Sequence, residues 1–226
     1  MFKYTAIIVE PRCHKALSFV LQNFFENLSD EWGFIIFHGT KNEQYVKNII
    51  AQDLQMHTYR VIKFVNLWVD DLNGVTYSNI FKDLLFYSHI ETDIFLVFQT
   101  DSMIIAENKH LINDFLNYDY VGAPWADMVV GNGGLSLRNK PKMIEICQHR
   151  GFDNITMEDT YFVKYHSVPI NLPKFEEAIR FSIEQLFNDT SFGIHNIWRY
   201  LSSAQINHLI NKYPMSNIIK LIELNK

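Results

Sequence analysis

The chain has 226 residues, of which 48% are hydrophobic, 15% aromatic and 20% charged. This length and apolar content exclude a disordered chain and one that needs disulfide or metal staples to fold. The 20 Lys and Arg against 25 Asp and Glu give a net charge of -5, which argues against general nucleic-acid binding, because such proteins carry a basic face.

Four short apolar runs alternate with stretches of helical periodicity in the first hundred residues. The runs, rich in β-branched and aromatic residues, predict buried strands at 4–9, 33–37, 60–65 and 94–98. Helical spacing of apolar residues predicts helices at 17–28, 43–54 and 78–87. Strands buried on both faces and separated by helices indicate an α/β fold with a parallel sheet and right-handed crossovers.

The alternation of predicted strands and helices ends after Asp101. Short, Gly-rich, strand-like pieces occupy 117–138, and Pro141 lies in the first turn of a helix predicted at 139–149. A helical stretch at 157–165, a Pro-bounded segment at 168–173 and C-terminal helices from about residue 201 follow. Since no repeat or linker interrupts the chain, we expect one domain.

Ligands of open α/β sheets bind beyond the carboxyl ends of the strands. Four places qualify here: Glu10–Arg12, His38–Thr40, the segment from Asn66 onward and Gln99–Ser102. Asp101 directly follows a buried strand, where a carboxylate can coordinate a divalent cation. The same residue type also caps turns and helices, so both interpretations stay open.

Other residues allow a structural and a functional interpretation alike. Glu158 and Asp159 head a helical stretch, where acids are stabilised by the helix dipole or can serve as a general base. Gly133 and Gly134 precede a strand and indicate either a tight turn or a close approach of the backbone to a ligand. His195 lies in a loop-like segment, where a lone histidine is more often structural.

Several familiar motifs are excluded by inspection. The chain has no phosphate-binding P-loop, and GNGGLS at 131–136 has Ser136 in place of the third glycine of the dinucleotide-binding motif. The sequence GLSLR does not match the nucleophile elbow, and none of the nine histidines belongs to an HExxH zinc motif.

Taken in order, AIIVEPR, FHGTKN, FQTDSMI, DYVGAPW, VGNGGLSLR, MEDTYF and FGIHNIW resemble a family of GT-A-type glycosyltransferase-like proteins long classed as a domain of unknown function. The resemblance covers residues 4 to 200. It implies a mostly parallel sheet flanked by helices, with a smaller mixed sheet in the second half. It also implies a nucleotide-binding half at 1–102, an acceptor and catalytic half at 103–200 and a helical segment at 201–226 of a single domain, 1–226.

The resemblance places Gln99-Thr100-Asp101 on the metal-binding Asp-x-Asp motif, with Gln99 in place of the first acid. Asp101 corresponds to the direct metal ligand, and His195 resembles the late histidine that completes the metal site in some families. The implied cofactor is Mn²⁺ or Mg²⁺, and imidazole favours Mn²⁺.

The acidic pair Glu158 and Asp159 resembles the one that carries the base of inverting enzymes, with Asp159 taking the proton of the acceptor hydroxyl. Trp125 would be a stacking platform for donor or acceptor. The full set of residues expected to bind the nucleotide sugar is Val9, Glu10, Arg12, Gln99, Thr100, Asp101, Ser102, Trp125, Asn132, Gly133 and Gly134.

The resemblance therefore predicts a metal-dependent, inverting glycosyltransferase that uses a UDP-, GDP- or dTDP-sugar and a glycan or other hydroxyl acceptor. Two alternatives stay open. A non-catalytic nucleotide-sugar or glycan-binding module is credible because Gln99 replaces an acid, and a nucleotidyltransferase would share the α/β nucleotide-binding half.

The apolar run 4–9 is too short for a membrane span or a signal peptide, and the two cysteines, Cys13 and Cys147, are typical of a reduced protein. We therefore expect a cytoplasmic location.

Abundant Asn, Ile and Lys indicate an AT-rich genome, of the kind found in some large DNA viruses, bacteria and protists. We further expect the rings of the second-half motifs to surround the site, namely Tyr120, Trp125, Tyr161, Phe192 and Trp198.

Overall fold

A computed structural model describes residues 2–57, 59–164 and 166–226. Its strands are β1 (Tyr4–Val9), β2 (Trp32–His38), β3 (Ile62–Asn66), β4 (Ile94–Phe98), β5 (Ser102–Ile104), β6 (Tyr120–Gly122), β7 (Leu135–Asn139), β8 (Ser182–Ile183) and β9 (Gly193–His195). Its α-helices are α1 (Leu17–Asn27), α2 (Glu43–Asn48), α3 (Gly74–Lys82), α4 (Leu84–Tyr87), α5 (Lys140–Arg150), α6 (Glu158–Val163), α7 (Phe175–Ala178), α8 (Ser203–Lys212) and α9 (Ile218–Asn225). Within the described ranges, no helix has the length and apolar character that a membrane crossing requires.

The central sheet has the strand order β3-β2-β1-β4-β7-β6. Strands β3, β2, β1 and β4 run parallel, whereas β7 is antiparallel to both β4 and β6. A smaller mixed sheet has the order β5-β9-β8, with β5 antiparallel and β8 parallel to β9. The predicted fold class, a mostly parallel sheet flanked by helices with a small mixed sheet in the second half, is confirmed.

Both faces of the central sheet are covered, which explains why its strands are continuously apolar. In β1, Ala6 and Ile8 face the core formed with α1 and the C-terminal helices α8 and α9, whereas Ile7 and Val9 face the core formed with α3 to α6. A fully buried aliphatic side chain of this kind contributes about 1.5–3 kcal/mol. The strands are thereby held rigidly, and so are the loops that leave their carboxyl ends.

Two helices show how local sequence fixes their first residues. Helix α5 begins after Asn139, whose side chain accepts a hydrogen bond from the Lys142 amide at 3.0 Å, and its boundaries agree with the prediction to within a residue. Helix α3 begins at Gly74, four residues before the predicted start, because Asn73 and Thr76 form a reciprocal capping box. The stretch predicted at 157–165 is α6, and Tyr165 lies outside the described residues.

Candidate functional site

The carboxyl ends of β1 and β4 border a cavity of about 150 Å³. Its lining brings together six of the residues predicted to bind a nucleotide sugar, together with three others: Val9, Glu10, Pro11, Arg12, Leu72, Tyr77, Gln99, Thr100 and Asp101. A larger cavity of about 430 Å³ lies between α1 and the start of α9 and contains none of the predicted site residues. The smaller cavity is therefore the candidate donor site.

Glu10 and Arg12 form a bidentate ion pair on the rim of this cavity. Arg12 donates from Nε to Glu10 Oε1 at 2.8 Å and from Nη2 to Glu10 Oε2 at 2.9 Å. The Arg12 backbone amide also donates to Glu10 Oε1, at 2.9 Å. Because Glu10 is buried and both its oxygens are engaged, it orients Arg12, whose half-exposed guanidinium is the group able to meet an anion.

Asn42 connects this rim to the loop that follows β2. Its Nδ2 donates to the carbonyl oxygens of Glu10 at 2.9 Å and Arg12 at 2.8 Å, while its Oδ1 accepts from the Gly39 amide at 2.8 Å. Asn42 is fully buried. One side chain thus fixes the loops that leave β1 and β2 relative to each other.

Asp101, His195 and Gln99 converge at the other end of the cavity. His195 Nε2 lies 3.3 Å from Asp101 Oδ1 and 3.3 Å from Gln99 Oε1. Burial alone would raise the pKa of Asp101, but the neighbouring His195 holds it below its ordinary value. The predicted pair of metal ligands is therefore assembled, with the substituted Gln99 beside it.

The chemistry of these donors fits a divalent cation. Asp101 Oδ1 is buried and makes no hydrogen bond among the described residues; its contact is the ion pair with His195 Nε2, so a cation that bound both atoms would take the place of the ring proton. Ligand atoms in adjacent octahedral positions lie roughly 3 Å apart, similar to the Oδ1–Nε2 separation. Across residues 2–57, 59–164 and 166–226, no cluster of three His, Cys, Asp or Glu side chains offers a complete ligand set. A cation here would need further oxygens, such as those of a diphosphate.

Glu184 contacts His195 from the side opposite Asp101. Its Oε1 lies 3.3 Å from His195 Nδ1, and both residues are buried. Burial disfavours the charged imidazolium, but Asp101 and Glu184 outweigh that effect and raise the pKa of His195 to about 10. The histidine is thus clamped between two carboxylates, of which the sequence identified only Asp101.

Gly133 and Gly134 make room for protein side chains, which corrects the expectation that they admit a donor sugar. A Cβ atom on Gly133 would overlap Glu158 Oε1, and one on Gly134 would overlap the His195 ring. Since consecutive Cα atoms are about 3.8 Å apart, Glu158 and His195 are close neighbours across this dipeptide. Glu158, the first acid of the pair, and His195, of the candidate cation site, thus contact consecutive glycines.

Ser102 and Asn132 were predicted to bind the donor, but both side chains fasten the backbone of the site. Ser102 Oγ donates to the Gln99 carbonyl at 2.8 Å and accepts from the Gln99 amide at 3.0 Å, which closes the turn between β4 and β5. Asn132 Oδ1 accepts from the Gly134 amide at 3.0 Å. Short polar side chains often satisfy nearby backbone in this way, and the sequence alone does not separate that role from ligand binding.

Glu158 belongs to a buried ion pair with Arg138. Arg138 is completely buried and donates from Nη2 to Glu158 Oε1 at 2.9 Å, and Ser78 Oγ donates to Glu158 Oε2 at 3.3 Å. The guanidinium also stacks on aromatic rings, with its carbon 4.7 Å from the centroid of Phe81 and 5.0 Å from that of Tyr120. Because both Glu158 oxygens are engaged, Glu158 is poorly placed to accept a proton.

Asp159 is the more available member of the acidic pair. It lies in the first turn of α6, partly exposed, and its Oδ1 accepts from the Thr160 amide at 2.6 Å. Burial and the negative charge of Glu158 raise the pKa of Asp159 to about 6. A carboxylate with such a pKa is a stronger base than an ordinary aspartate yet is ionised at pH 7.

The predicted aromatic surround of the site is mostly wrong. Tyr120, Tyr161 and Phe192 are fully buried core residues, and Trp198 packs against the core that contains α1. These rings pack in the hydrophobic core, although the polar and glycine residues beside them in the sequence favoured a binding site. Trp125 is partly exposed, and the Lys164 ammonium lies 4.6 Å from the centroid of its ring, so Trp125 remains a candidate platform.

Sequence reasoning missed three residues of the site. Arg138 and Glu184 are buried charges, and their only local signal was an ionisable residue beside an apolar strand. Tyr77 lines the cavity, and its buried hydroxyl finds no hydrogen-bond partner in the described part of the chain. Burial raises the pKa of Tyr77, so its hydroxyl is a neutral donor or acceptor facing the cavity.

Solved structures with this fold include nucleotide-sugar complexes. A TarS fragment from S. aureus in complex with UDP-GlcNAc aligns at TM-score 0.54 and 9% identity, over 99% of this chain and 70% of that chain. The mannosyltransferase PcManGT from Pyrobaculum calidifontis, in complex with GDP-Man and Mn²⁺, aligns at TM-score 0.52 and 10% identity, over 70% of this chain and 50% of that chain. These likenesses establish the GT-A-like fold.

A third similar structure is HddC from Yersinia pseudotuberculosis, at TM-score 0.49 and 12% identity, over 76% of this chain and 89% of that chain. No curated protein matches the chain in sequence. A family model matches residues 58–195, more than half of the chain. The chain belongs to the family described as protein of unknown function (DUF5672).

Proposed function

We propose that this chain is a glycosyltransferase that transfers a sugar from a nucleotide-sugar donor to an acceptor hydroxyl, with a divalent cation and with inversion at the anomeric carbon. The observation that carries the proposal is the adjacency of two groups on a GT-A-like fold. Asp101 and His195, the proposed cation ligands, lie 3.3 Å apart beside the donor cavity. Asp159, with its pKa raised to about 6, directly follows Glu158, which contacts Gly133 next to the glycine that His195 contacts.

In this proposal, residues 1–102 hold the donor. Arg12, oriented by Glu10, meets the nucleotide or its phosphates, and Val9 and Thr100 line the cavity with it. Gln99 offers a neutral amide to the ribose or to a water on the cation. A UDP-, GDP- or dTDP-sugar is larger than the 150 Å³ cavity, so part of the donor would lie outside it, with Trp125 as a candidate stacking platform.

The base lies in residues 103–200. Asp159 takes the proton of the acceptor hydroxyl while the acceptor oxygen forms a bond to the anomeric carbon. The bond between that carbon and the donor phosphate oxygen breaks, and a nucleoside diphosphate leaves. General-base catalysis of this kind contributes typically about 10²–10⁴-fold.

Asp101 and His195 would hold the cation, and Mn²⁺ is preferred over Mg²⁺ because one ligand is an imidazole. A bound divalent cation supplies positive charge that stabilises the departing diphosphate. Glu158 contributes indirectly, because its charge raises the pKa of Asp159 while Arg138 keeps Glu158 itself paired.

A non-catalytic nucleotide-sugar or glycan-binding module is the second candidate. The observation that favours it is the neutral Gln99 beside Asp101 and His195, which leaves one carboxylate where the family resemblance expects two. Such a module would keep the donor cavity and have no need of a base at Asp159.

The test is a panel of UDP-, GDP- and dTDP-sugars, assayed for binding by calorimetry and for release of nucleoside diphosphate, with and without Mn²⁺. Asp159→Asn should bind the donor normally and lose turnover by about 10²-fold or more. The matched control is Asp114→Asn, which removes an exposed carboxylate that pairs with Arg180 at 3.2 Å on the surface. No donor binding refutes the proposal, binding without turnover favours the module, and pyrophosphate release identifies a nucleotidyltransferase.

A further inference from the structure

Glu184 is a buried carboxylate with no part in the mechanism above. It follows β8, which runs parallel to β9 with Ser182 opposite Gly193 and Ile183 opposite Ile194. One step further along both strands stand Glu184 and His195. The register of β8 and β9 therefore places Glu184 beside the His195 imidazole.

The second carboxylate, that of Asp101, is placed beside His195 by β5, the other strand that pairs with β9. Strand β5 pairs Ser102 with His195, and Asp101 is the residue just before it. The Asn196 amide donates to the Asp101 carbonyl at 2.9 Å, which extends the pairing by one hydrogen bond. The three side chains thus lie at one end of the small sheet, with the histidine in the middle.

The two nitrogens of His195 face different carboxylates. Nδ1 lies 3.3 Å from Glu184 Oε1, an ion-pair contact that lacks the alignment of a hydrogen bond, and Nε2 lies 3.3 Å from Asp101 Oδ1, which borders the cavity, whereas Glu184 does not line it. Either carboxylate can accept a proton from the ring, so the tautomer is set by what binds the other nitrogen: a cation that took the lone pair of Nε2 beside Asp101 would leave the ring proton on Nδ1, facing Glu184.

We propose that Glu184 is a positioning residue of the cation site: it holds the Nδ1 proton of His195 and orients the ring so that Nε2 and Asp101 bind a divalent cation together. This inference rests on the proposed function. Histidines that ligate metals generally donate their other ring N–H to such a partner, and loss of the partner typically costs about 10–100-fold in metal affinity.

A purely structural role explains Glu184 less well. Its side chain is 4% exposed, and within the described ranges its Oε2 has no hydrogen-bond partner. A buried carboxylate with an unpartnered oxygen is costly, and an apolar residue at this position would pack without that cost. A role in orienting the His195 ring, which the carboxylate contacts, accounts for a buried acid at this position.

The test measures Mn²⁺ binding to the full chain by electron paramagnetic resonance, alone and with UDP, GDP or dTDP present to supply diphosphate oxygens, and without turnover. Glu184→Ala should weaken Mn²⁺ binding about 10–100-fold. Glu184→Gln should weaken it less, because the amide oxygen still accepts the Nδ1 proton, but should not restore wild-type affinity, whereas a purely space-filling role predicts full affinity for Gln, which has the shape of Glu. Ser182→Ala is the matched control: it changes a buried residue of the same strand and should bind Mn²⁺ like the wild type.

Thermal unfolding of each variant identifies any that fails to fold. If Glu184→Ala does not fold, Glu184→Gln decides: weakened binding supports the proposal, and wild-type affinity overturns it. Equal Mn²⁺ affinity of wild type and folded Glu184→Ala also overturns it, while leaving the proposed function intact. A wild type that binds no Mn²⁺ either alone or with any of the three nucleoside diphosphates overturns both this proposal and the metal dependence of the proposed function.

Discussion

Gly134→Ala is the most direct probe of the site geometry, because a single methyl group would occupy the space of the His195 ring. Of the three ring atoms nearest to the added carbon, even the farthest, Cδ2, would lie 2.6 Å away, against 3.4 Å or more in ordinary contacts. The ring must retreat by about 0.8 Å or more, yet Asp101 and Glu184 contact its two nitrogens. Overpacking of this kind costs typically about 1–3 kcal/mol.

For a chain of this size, 1 kcal/mol lowers the Tm by roughly 2–4 °C, so we expect Gly134→Ala to lose about 2–12 °C in differential scanning calorimetry. Mn²⁺ and donor binding should weaken as His195 is displaced. Gly74→Ala is the control, since its added methyl would meet only the flexible end of Met157, at 3.2 Å. If Gly134→Ala matched Gly74→Ala in Tm and in Mn²⁺ affinity, His195 would not occupy the position described above.

Three further predictions concern the acidic pair and the tryptophans. Arg138→Met leaves Glu158 buried without its partner and should cost about 3–5 kcal/mol in urea unfolding; an unchanged midpoint would contradict the ion pair. Because the pKa of Asp159 is raised to about 6, turnover should fall about tenfold per pH unit below 6, and a flat profile from pH 5 to 8 would exclude Asp159 as the base. The raised pKa also means that the protonated form of Asp159 favours the folded state. The stability that this proton contributes is lost as pH rises through 6. Trp198→Ala should lower the Tm and spare donor affinity, and Trp125→Ala should do the reverse.

The central sheet could be predicted closely because its signal is local. Strands β1 and β4 are buried on both faces, so each appears as an unbroken apolar run with the observed boundaries. Strands β8 and β9 have two and three residues, too few for any periodicity, and the small mixed sheet was expected only from the family resemblance. The start of α3 was missed because the Asn73–Thr76 capping box was not recognised.

In the candidate site, too, the residues with a local sequence signal could be predicted and those placed by tertiary contacts could not. Asp101 could be predicted because it directly follows a buried strand, and its position at the sheet edge follows from the fold alone. Glu184 could not, because its partner His195 lies on a neighbouring strand and no sequence spacing marks a contact set by strand register. The glycine pair indicates a close approach, which the structure contains, but the sequence does not say whether Gly133 and Gly134 face a ligand or a side chain.

The buried amide of Asn42 has a consequence for the thermodynamics of ligand recognition. A loop that must be ordered when a ligand arrives weakens binding by the entropy of that ordering. Here the segments after β1 and β2 are already joined through three hydrogen bonds to one side chain. The rim that carries Arg12 is therefore preorganised, and a ligand bound there would meet a surface whose backbone order was established during folding.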